Sequence, residues 1–526
     1  MRRDIDLRKV DLGRSGRSRR APDTAPDARG PGPGWYHGAV SPQRAEPDPN
    51  RWRVLPVCLA VGFVTTLDVS IVNVALPSIE SSLDAGPTEL QLVVAGYTLA
   101  FGLALVPAGR LGDAGARRAL FIAGLVGFAL MSLACGLAPT DTWLGVARLL
   151  QGVSAGLLNP QVVGLIQQQF SGFERGRAFG MFGATIGVST ALGPLLGGLI
   201  IAAAGSADGW RWVFLVNLPV VAVLLPFAWR LVPGPPPADA RTARGPRRLD
   251  LVGLALLGAA TLGVMMPFVT TTGQGDDASR WWWLAAAAAA GVAAVAWERR
   301  YQRRTGEAVL DPQVVGLGSF RNGALLGLAY FAGFTGIFLV VTLYLQDELG
   351  YTPLQAGLVG TPFAVASGVS AWFSGRWVAR WGRHLVVGGV LLVLVGVVAA
   401  DAVVRLLGDD PGAVGPALAG ALLVAGAGSG TVIAPNQTLT LSEVPVSRAG
   451  VAGSMLQLGQ RIGSAVGISV VLSVYYGGLA GGDSAADATG RALLVTIGLV
   501  TVALAVGLLD LRSRRAEDRR TGRADA

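Results

Sequence analysis

Apolar residues come in long runs separated by short polar breaks, and the runs set the architecture. Between residues 51 and 511 the chain reads as about fourteen apolar segments of about 20 residues each. They centre near Thr65, Leu99, Gly127, Ala155, Gly187, Val221, Thr261, Gly291, Phe334, Val365, Val393, Leu423, Gly463 and Leu499. A helix rises about 1.5 Å per residue, so each segment is long enough to cross a hydrocarbon core about 30 Å thick. The eighth is the least typical. Trp281, Trp282 and Trp283 open it, an alanine run forms its body and Glu298-Arg299-Arg300 closes it. Tryptophans suit a membrane–water boundary.

The breaks alternate in charge. One set carries Arg117 and Arg118, Arg175 and Arg177, the arginines from 241 to 248, 299 to 304 and 376 to 383, Arg448 and those beyond Arg512. The other carries Glu80, Asp84, Asp141, Asp208, Asp276, Asp277, Asp410, Asp483 and Asp487, with few basic residues (Arg211, Arg280, Arg405 and Arg491) at segment edges. Positive loops stay in the cytoplasm. Both termini are therefore expected inside, which requires an even number of crossings. Residues 1–50, rich in Arg, Asp, Pro and Gly, predict a disordered cytoplasmic tail rather than a cleaved signal peptide, because they lack an apolar stretch. Residues 512–526 predict a basic cytoplasmic tail.

Composition agrees. Of 526 residues, 52% are hydrophobic and 15% charged, against about 25% charged in soluble chains. The net charge of +9 follows from the loop pattern and calls for no nucleic-acid partner. Two cysteines, Cys58 and Cys135, and two histidines, His37 and His384, are too few for a disulfide framework or a metal set.

Asp68 stands out. It lies roughly 20 Å along the first segment at 1.5 Å per residue, beyond the middle of the hydrocarbon core. A carboxylate there is costly unless it meets a cavity or a partner or takes up a proton. It reads as a membrane-embedded proton site, with an interfacial position the alternative. Asn73 is then a polar candidate for lining a cavity, and Pro77 a helix end.

Several stretches carry a family resemblance. Gly109-Arg110-Leu111-Gly112-Asp113-Ala114-Gly115-Ala116-Arg117-Arg118 has a second copy, Gly375 to His384, about half the chain away. Duplicated halves mark transporter folds. The first copy resembles the signature loop of the major facilitator superfamily, with Ala114 in place of its Arg and Ala116 in place of its Gly; the second has Ala379 in place of its Asp. In such a loop the aspartate can accept bonds from a helix N-terminus or an Arg across the domain interface and latch one conformation. The resemblance assigns that latch to Gly109, Asp113, Arg117 and Arg118.

Leu144 to Gly152, with Arg148 and Gln151, resembles a second signature, whose arginine faces the cavity and tunes proton release; Gln151 is a further candidate for lining the substrate cavity. A guanidinium near Asp68 would favour its charged form; snorkelling of Arg148 to the outer boundary is the alternative. The fifth segment holds Gly180, Gly183, Gly187, Gly193-Pro194 and Gly197-Gly198, small residues at close-packing spacing with a proline able to kink the helix. It resembles the superfamily's antiporter signature, with Ser189 at one glycine position. Trp210 to Pro219, Leu343 to Gln346 and Gly350 to Gly357 resemble the fourteen-helix drug:proton antiporter branch.

The resemblance covers residues from about 51 to 512. It implies an all-α integral membrane protein with the major facilitator fold: two six-helix bundles (51–232 and 313–511) with two extra helices between them (233–312). It implies a proton-coupled antiporter, not an enzyme, that exports hydrophobic drugs or antibiotics across the cytoplasmic membrane by alternating access. No cofactor is expected; the proton gradient supplies energy, and there is no phosphate-binding Gly-Lys-Ser/Thr loop for ATP. The expected partners are lipophilic small molecules, protons and lipid, and the chain is expected to be a monomer. A dedicated exporter of a self-made metabolite is the near rival, and a nutrient symporter or a membrane-embedded enzyme or sensor the distant ones. Arg461 is a candidate for orienting an anionic or polar substrate. Phe331, Phe334 and Phe338 share a helix face that either lines an apolar pocket or meets lipid. Asp401 sits near an acidic loop. The scarcity of deep acids argues against a divalent-cation specialist and leaves lipophilic neutral or monocationic substrates open.

Overall fold

The computed structural model describes residues 51–86, 89–90, 92–205, 208–234, 250–269, 278–305, 312–408 and 410–521. The expected N-terminal tail, 1–50, and the arginine-rich stretch from 241 to 248 lie outside the described residues. Every regular element among those described is helical.

The first half comprises α1 (Arg51–Leu83), α2 (Tyr97–Leu111), α3 (Arg117–Gly136), α4 (Asp141–Gln169), α5 (Gly172–Ala204), α6 (Gly209–Leu215) and α7 (Asn217–Leu231). Next comes a pair, α8 (Leu251–Val269) and α9 (Trp282–Thr305). The second half comprises α10 (Gly318–Leu343), α11 (Pro353–Leu407), α12 (Pro411–Thr440), α13 (Ala449–Ala480) and α14 (Ala485–Thr521). The start of α11 follows from its sequence: Thr352 and Gln355 form a reciprocal capping box and Pro353 opens the first turn. Thr140 caps α4 by accepting from the Trp143 amide, and Asp410 caps α12.

Ten helical stretches among the described residues are long and apolar enough to cross a membrane. Two are double length, Leu92–Gly136 and Leu354–Leu407. Each is broken by a glycine that leaves helical geometry, Gly115 (φ 107°) and Gly382 (φ 48°). A side chain would be strained in that region. Both glycines lie in the two repeated loops. In the first copy the glycine stands one position early, and Gly112–Ala116 forms a π turn. This accommodates Ala116 where the family pattern has glycine.

One apolar core joins α1–α5 and α7 and is centred on residues such as Leu55, Phe121, Phe128 and Phe179. A second joins α10, α11, α12 and α14 around Tyr330, Val390, Leu418 and Val500. The halves meet where α5 runs along α11 and α12, and where α2 and α4 pack on α13. The α8–α9 pair lies against α2 and α13. Asp250 ties the pair together by accepting from the Trp297 indole at 2.9 Å.

One expectation needs correcting. Pro77 does not end α1, which continues to Leu83; a proline removes one backbone donor, and the neighbouring turns still carry the helix. The arginine-rich C-terminal stretch begins as a continuation of α14, helical to Thr521. At the end bearing the acidic loops, three of the exceptional arginines have acidic partners: Arg211 with Asp208, Arg405 with Asp401 and Arg491 with Asp483.

Candidate transport site

Asp68 is fully buried on α1. Arg148 of α4 reaches it, Nη1 lying 2.6 Å from Oδ2. Gln151 Nε2 and Asn217 Nδ2 each donate to Oδ1 at 2.9 Å. Behind them Ser132 Oγ lies 2.7 Å from Gln151 Nε2 and 3.2 Å from Asn217 Nδ2. Arg148 Nη1 also donates to Gln151 Oε1 at 2.7 Å, and its Nε to the Val93 carbonyl at 3.1 Å. Val93 sits in a π turn, Leu92–Gly96, a geometry that releases backbone groups from the helical ladder. The Tyr97 ring covers the guanidinium at 4.2 Å. Arg148 therefore points into the bundle and does not snorkel.

Three donors converge on one carboxylate. An ionised carboxyl only accepts, whereas a protonated one must also donate. All three bonds are accepted by the Asp68 carboxylate oxygens, which bring side chains of α4 and α7 onto α1.

Asp113, in the first signature loop, reaches across to the second half. Oδ1 accepts from the Gly450 amide at 3.0 Å and Oδ2 from the Val451 amide at 2.9 Å. These are the first amides of α13, the positive end of a helix. Arg117 Nη2, one turn on from Asp113, lies 2.8 Å from Oδ1. Gly109 permits this approach: a Cβ there would sit 2.7 Å from the Gly450 carbonyl oxygen. Arg118 has a different post, donating to the Trp229 carbonyl of α7 and stacking on its ring. Gln167 adds a bond across the halves, donating to the Leu441 carbonyl at 3.1 Å. The halves are thus joined at the end bearing the basic loops.

The glycine-rich α5 has two packing partners. Near its start Gly180 and Gly187 face the opposite half: a Cβ on Gly180 would lie 2.8 Å from Gly375 Cα, and one on Gly187 2.9 Å from the Gly368 amide nitrogen. Farther on, Gly193 and Gly197 face α1, against Ser70 and Ile71. Gly198 meets nothing within 4 Å. Pro194 lies inside the continuous helix and, across the halves, faces Gly357. Ser189, at a glycine position of the family pattern, donates to the Phe63 carbonyl of α1 at 2.6 Å.

Between the halves lies a cavity of about 310 Å³. Phe334, Phe338 and Arg461 line it, as does Phe331. The structure places Gln151 in the Asp68 cluster instead, and Asn73 on an exposed face of α1. Asp68 does not line the cavity, but its neighbour Val69, with Thr65 and Thr66 of the same helix, does.

Sequence reasoning missed Asn217, Ser132 and Tyr97, each from a different helix. It also missed a second buried pair. Arg383, in the second repeat loop, lies 2.8 Å from Asp510 of α14. It also donates to Ser319 O at 3.0 Å and to Asn436, and Asn322 donates to Asp510 at 2.7 Å. Asp510 thus supplies the acid that Ala379 does not.

Two helical halves around a shared cavity, with a buried acid–arginine pair beside it, define a polytopic membrane carrier. The chain belongs to the major facilitator superfamily: the sequence profile of the Major Facilitator Superfamily matches residues 58–468 and 323–525. It is similar to the probable actinorhodin transporter of Streptomyces coelicolor, with 33% identity over 82% of this chain and 73% of that one. It is also similar to the puromycin resistance protein pur8 of Streptomyces alboniger, with 34% identity over 90% and 94%. The solved proton:xylose symporter XylE shares the fold, with a TM-score of 0.63 at 15% identity over 86% of this chain and 94% of that one.

Proposed function

We propose that this protein exports hydrophobic drugs or antibiotics across the cytoplasmic membrane in exchange for protons, as a fourteen-helix antiporter with both termini inside. Relatives named as an antibiotic transporter and a resistance protein support the export of such compounds. Counting each of the two glycine-broken stretches twice and adding the α8–α9 pair to the ten apolar stretches supports fourteen crossings. In this reading 51–232 and 313–511 are the two six-helix bundles and 233–312 the insert between them.

One observation carries the coupling: Asp68, buried and held by three donors, lies on the stretch of α1 that lines the cavity with Thr65, Thr66 and Val69. In the cycle, proton entry from outside neutralises Asp68 and loosens its hold on Arg148, Gln151 and Asn217. The Asp113 contacts then part, the cavity opens to the cytoplasm, and substrate enters as the proton leaves. Re-formation of the Asp113 contacts closes that side and substrate departs outward. Gly180, Gly187, Gly193, Pro194, Gly197 and Gly198 let α5 slide between α1 and α11.

A susceptibility panel in an efflux-deficient host, with expression on and off, identifies the compounds. Respiring inverted vesicles then test the coupling: adding such a compound should dissipate part of the pH gradient while the compound accumulates. Accumulation that persists with the gradient collapsed would refute the proton-driven reading. The second reading, a dedicated exporter of a self-made metabolite, draws on the actinorhodin relative; a panel response confined to one compound would favour it.

A further inference from the structure

We infer that the cavity selects flat aromatic anions, with Arg461 as their counter-charge. The inference rests on the export reading above only for the direction of transport; the binding preference stands on the cavity itself.

Among the described lining residues Arg461 is the only charged one. No carboxylate is found among them. Arg461 has no ion-pair or hydrogen-bond partner among the described residues; its neighbour of note is the Phe101 ring, 4.6 Å from the guanidinium carbon. Arg148 shows what a satisfied arginine looks like in the same protein: it is fully buried and bound to a carboxylate, an amide oxygen and a backbone carbonyl. A guanidinium in a low-dielectric pocket without a counter-ion keeps an open demand for one, and its planar fork matches a carboxylate, phenolate or sulfonate. A cationic substrate in the same space meets a like charge with nothing to offset it.

The rest of the lining sets the body of the ligand. Phe331, Phe334, Phe338 and Phe363 form one aromatic wall, with Phe338 edge-on to Phe363 at 4.6 Å and Phe334 tilted against Phe363 at 5.4 Å. Such rings offer both faces and edges to a flat aromatic guest. Gln457 and Gln460, on the same helix as Arg461, add neutral donors and acceptors beside the cation. The combination of one cation, neutral amides and an aromatic wall distinguishes a ligand by its charge while tolerating variety in its rings. It narrows the substrate class from lipophilic compounds in general to acidic aromatic ones.

The test uses the full-length protein in lipid nanodiscs and three aromatic probes: anilinonaphthalene sulfonate, its uncharged parent phenylnaphthylamine, and the cation ethidium. Binding is read against empty discs. The wild type should prefer the sulfonate to its parent, with ethidium the weakest. Arg461→Gln should weaken the sulfonate by about tenfold or more while leaving the parent within about twofold, and Arg461→Lys should keep most of the preference. Retained binding of the parent shows that the variant is folded. An unchanged sulfonate-to-parent ratio in Arg461→Gln, or an equal loss of both, would overturn the inference. The export reading fails by a different result: wild-type inverted vesicles that move no probe when energised, whatever the binding preference in discs.

Discussion

Two buried arginine–aspartate pairs, one in each half, use the same chemistry to different ends. Arg148–Asp68 and Arg383–Asp510 are close, at 2.6 and 2.8 Å, and almost fully buried. Each is backed by an asparagine, Asn217 or Asn322. The first lies in the interior of its bundle, on the stretch of α1 beside the cavity, and its carboxylate gathers donors from three side chains. The second lies at the end bearing the basic loops, where Arg383 staples a repeat loop to Ser319, Asn436 and the last helix. Burial and pairing alone do not make an acid a coupling site. In the proposed cycle Asp68 is set apart by its position beside the cavity.

The comparison can be broken by substitution. The largest effect is expected from Arg148→Ala, which leaves the Asp68 charge buried without its partner. Thermal unfolding in detergent should show a loss of about 3–5 kcal/mol, and pH-driven export should vanish; wild-type stability would mean that the pair is not the anchor described here. Asp510→Asn comes next, with a loss of about 1–3 kcal/mol in the same assay and pH-driven export retained. Loss of coupling in this variant without unfolding would erase the distinction between the two pairs.

The smallest effect concerns Asp113, an acid that joins the halves instead of bracing one. Asp113→Asn keeps the shape and removes the charge facing the two α13 amides. Ser454 is fully buried beneath this contact. With the native cysteines replaced, Ser454→Cys should react with a permeant maleimide about three- to tenfold faster when combined with Asp113→Asn than when made alone. An unchanged rate would separate the contact from the closing of that end.

How much of this was legible in the sequence depends on the distance over which each signal acts. Asp68 and Arg148 were visible because a charge inside an apolar run is costly whatever surrounds it. Asp113 was visible through its motif, and its expected helix N-terminus partner is the α13 start. Its Arg partner proved to be Arg117, from its own half. Asn217 and Ser132 gave no such signal, because neutral polar residues in a membrane helix are cheap and common; only the fold brings them to Asp68. Gln151 had a signal that pointed to the wrong place: three residues beyond Arg148, it shares that helix face and so joins the cluster, not the cavity. Asp510 gave no signal either, because only the fold brings Arg383, far away in sequence, beside it. Pro77 misled because a proline weakens a helix without having to end it.

In the proposed cycle Asp68 carries the coupled proton. The direct test is Asp68→Asn, measured in inverted vesicles under an imposed pH gradient, with binding of the same compound followed in nanodiscs. The variant should still bind the compound and accumulate none of it against its gradient. Uphill, pH-driven accumulation by Asp68→Asn at the wild-type level would contradict that role.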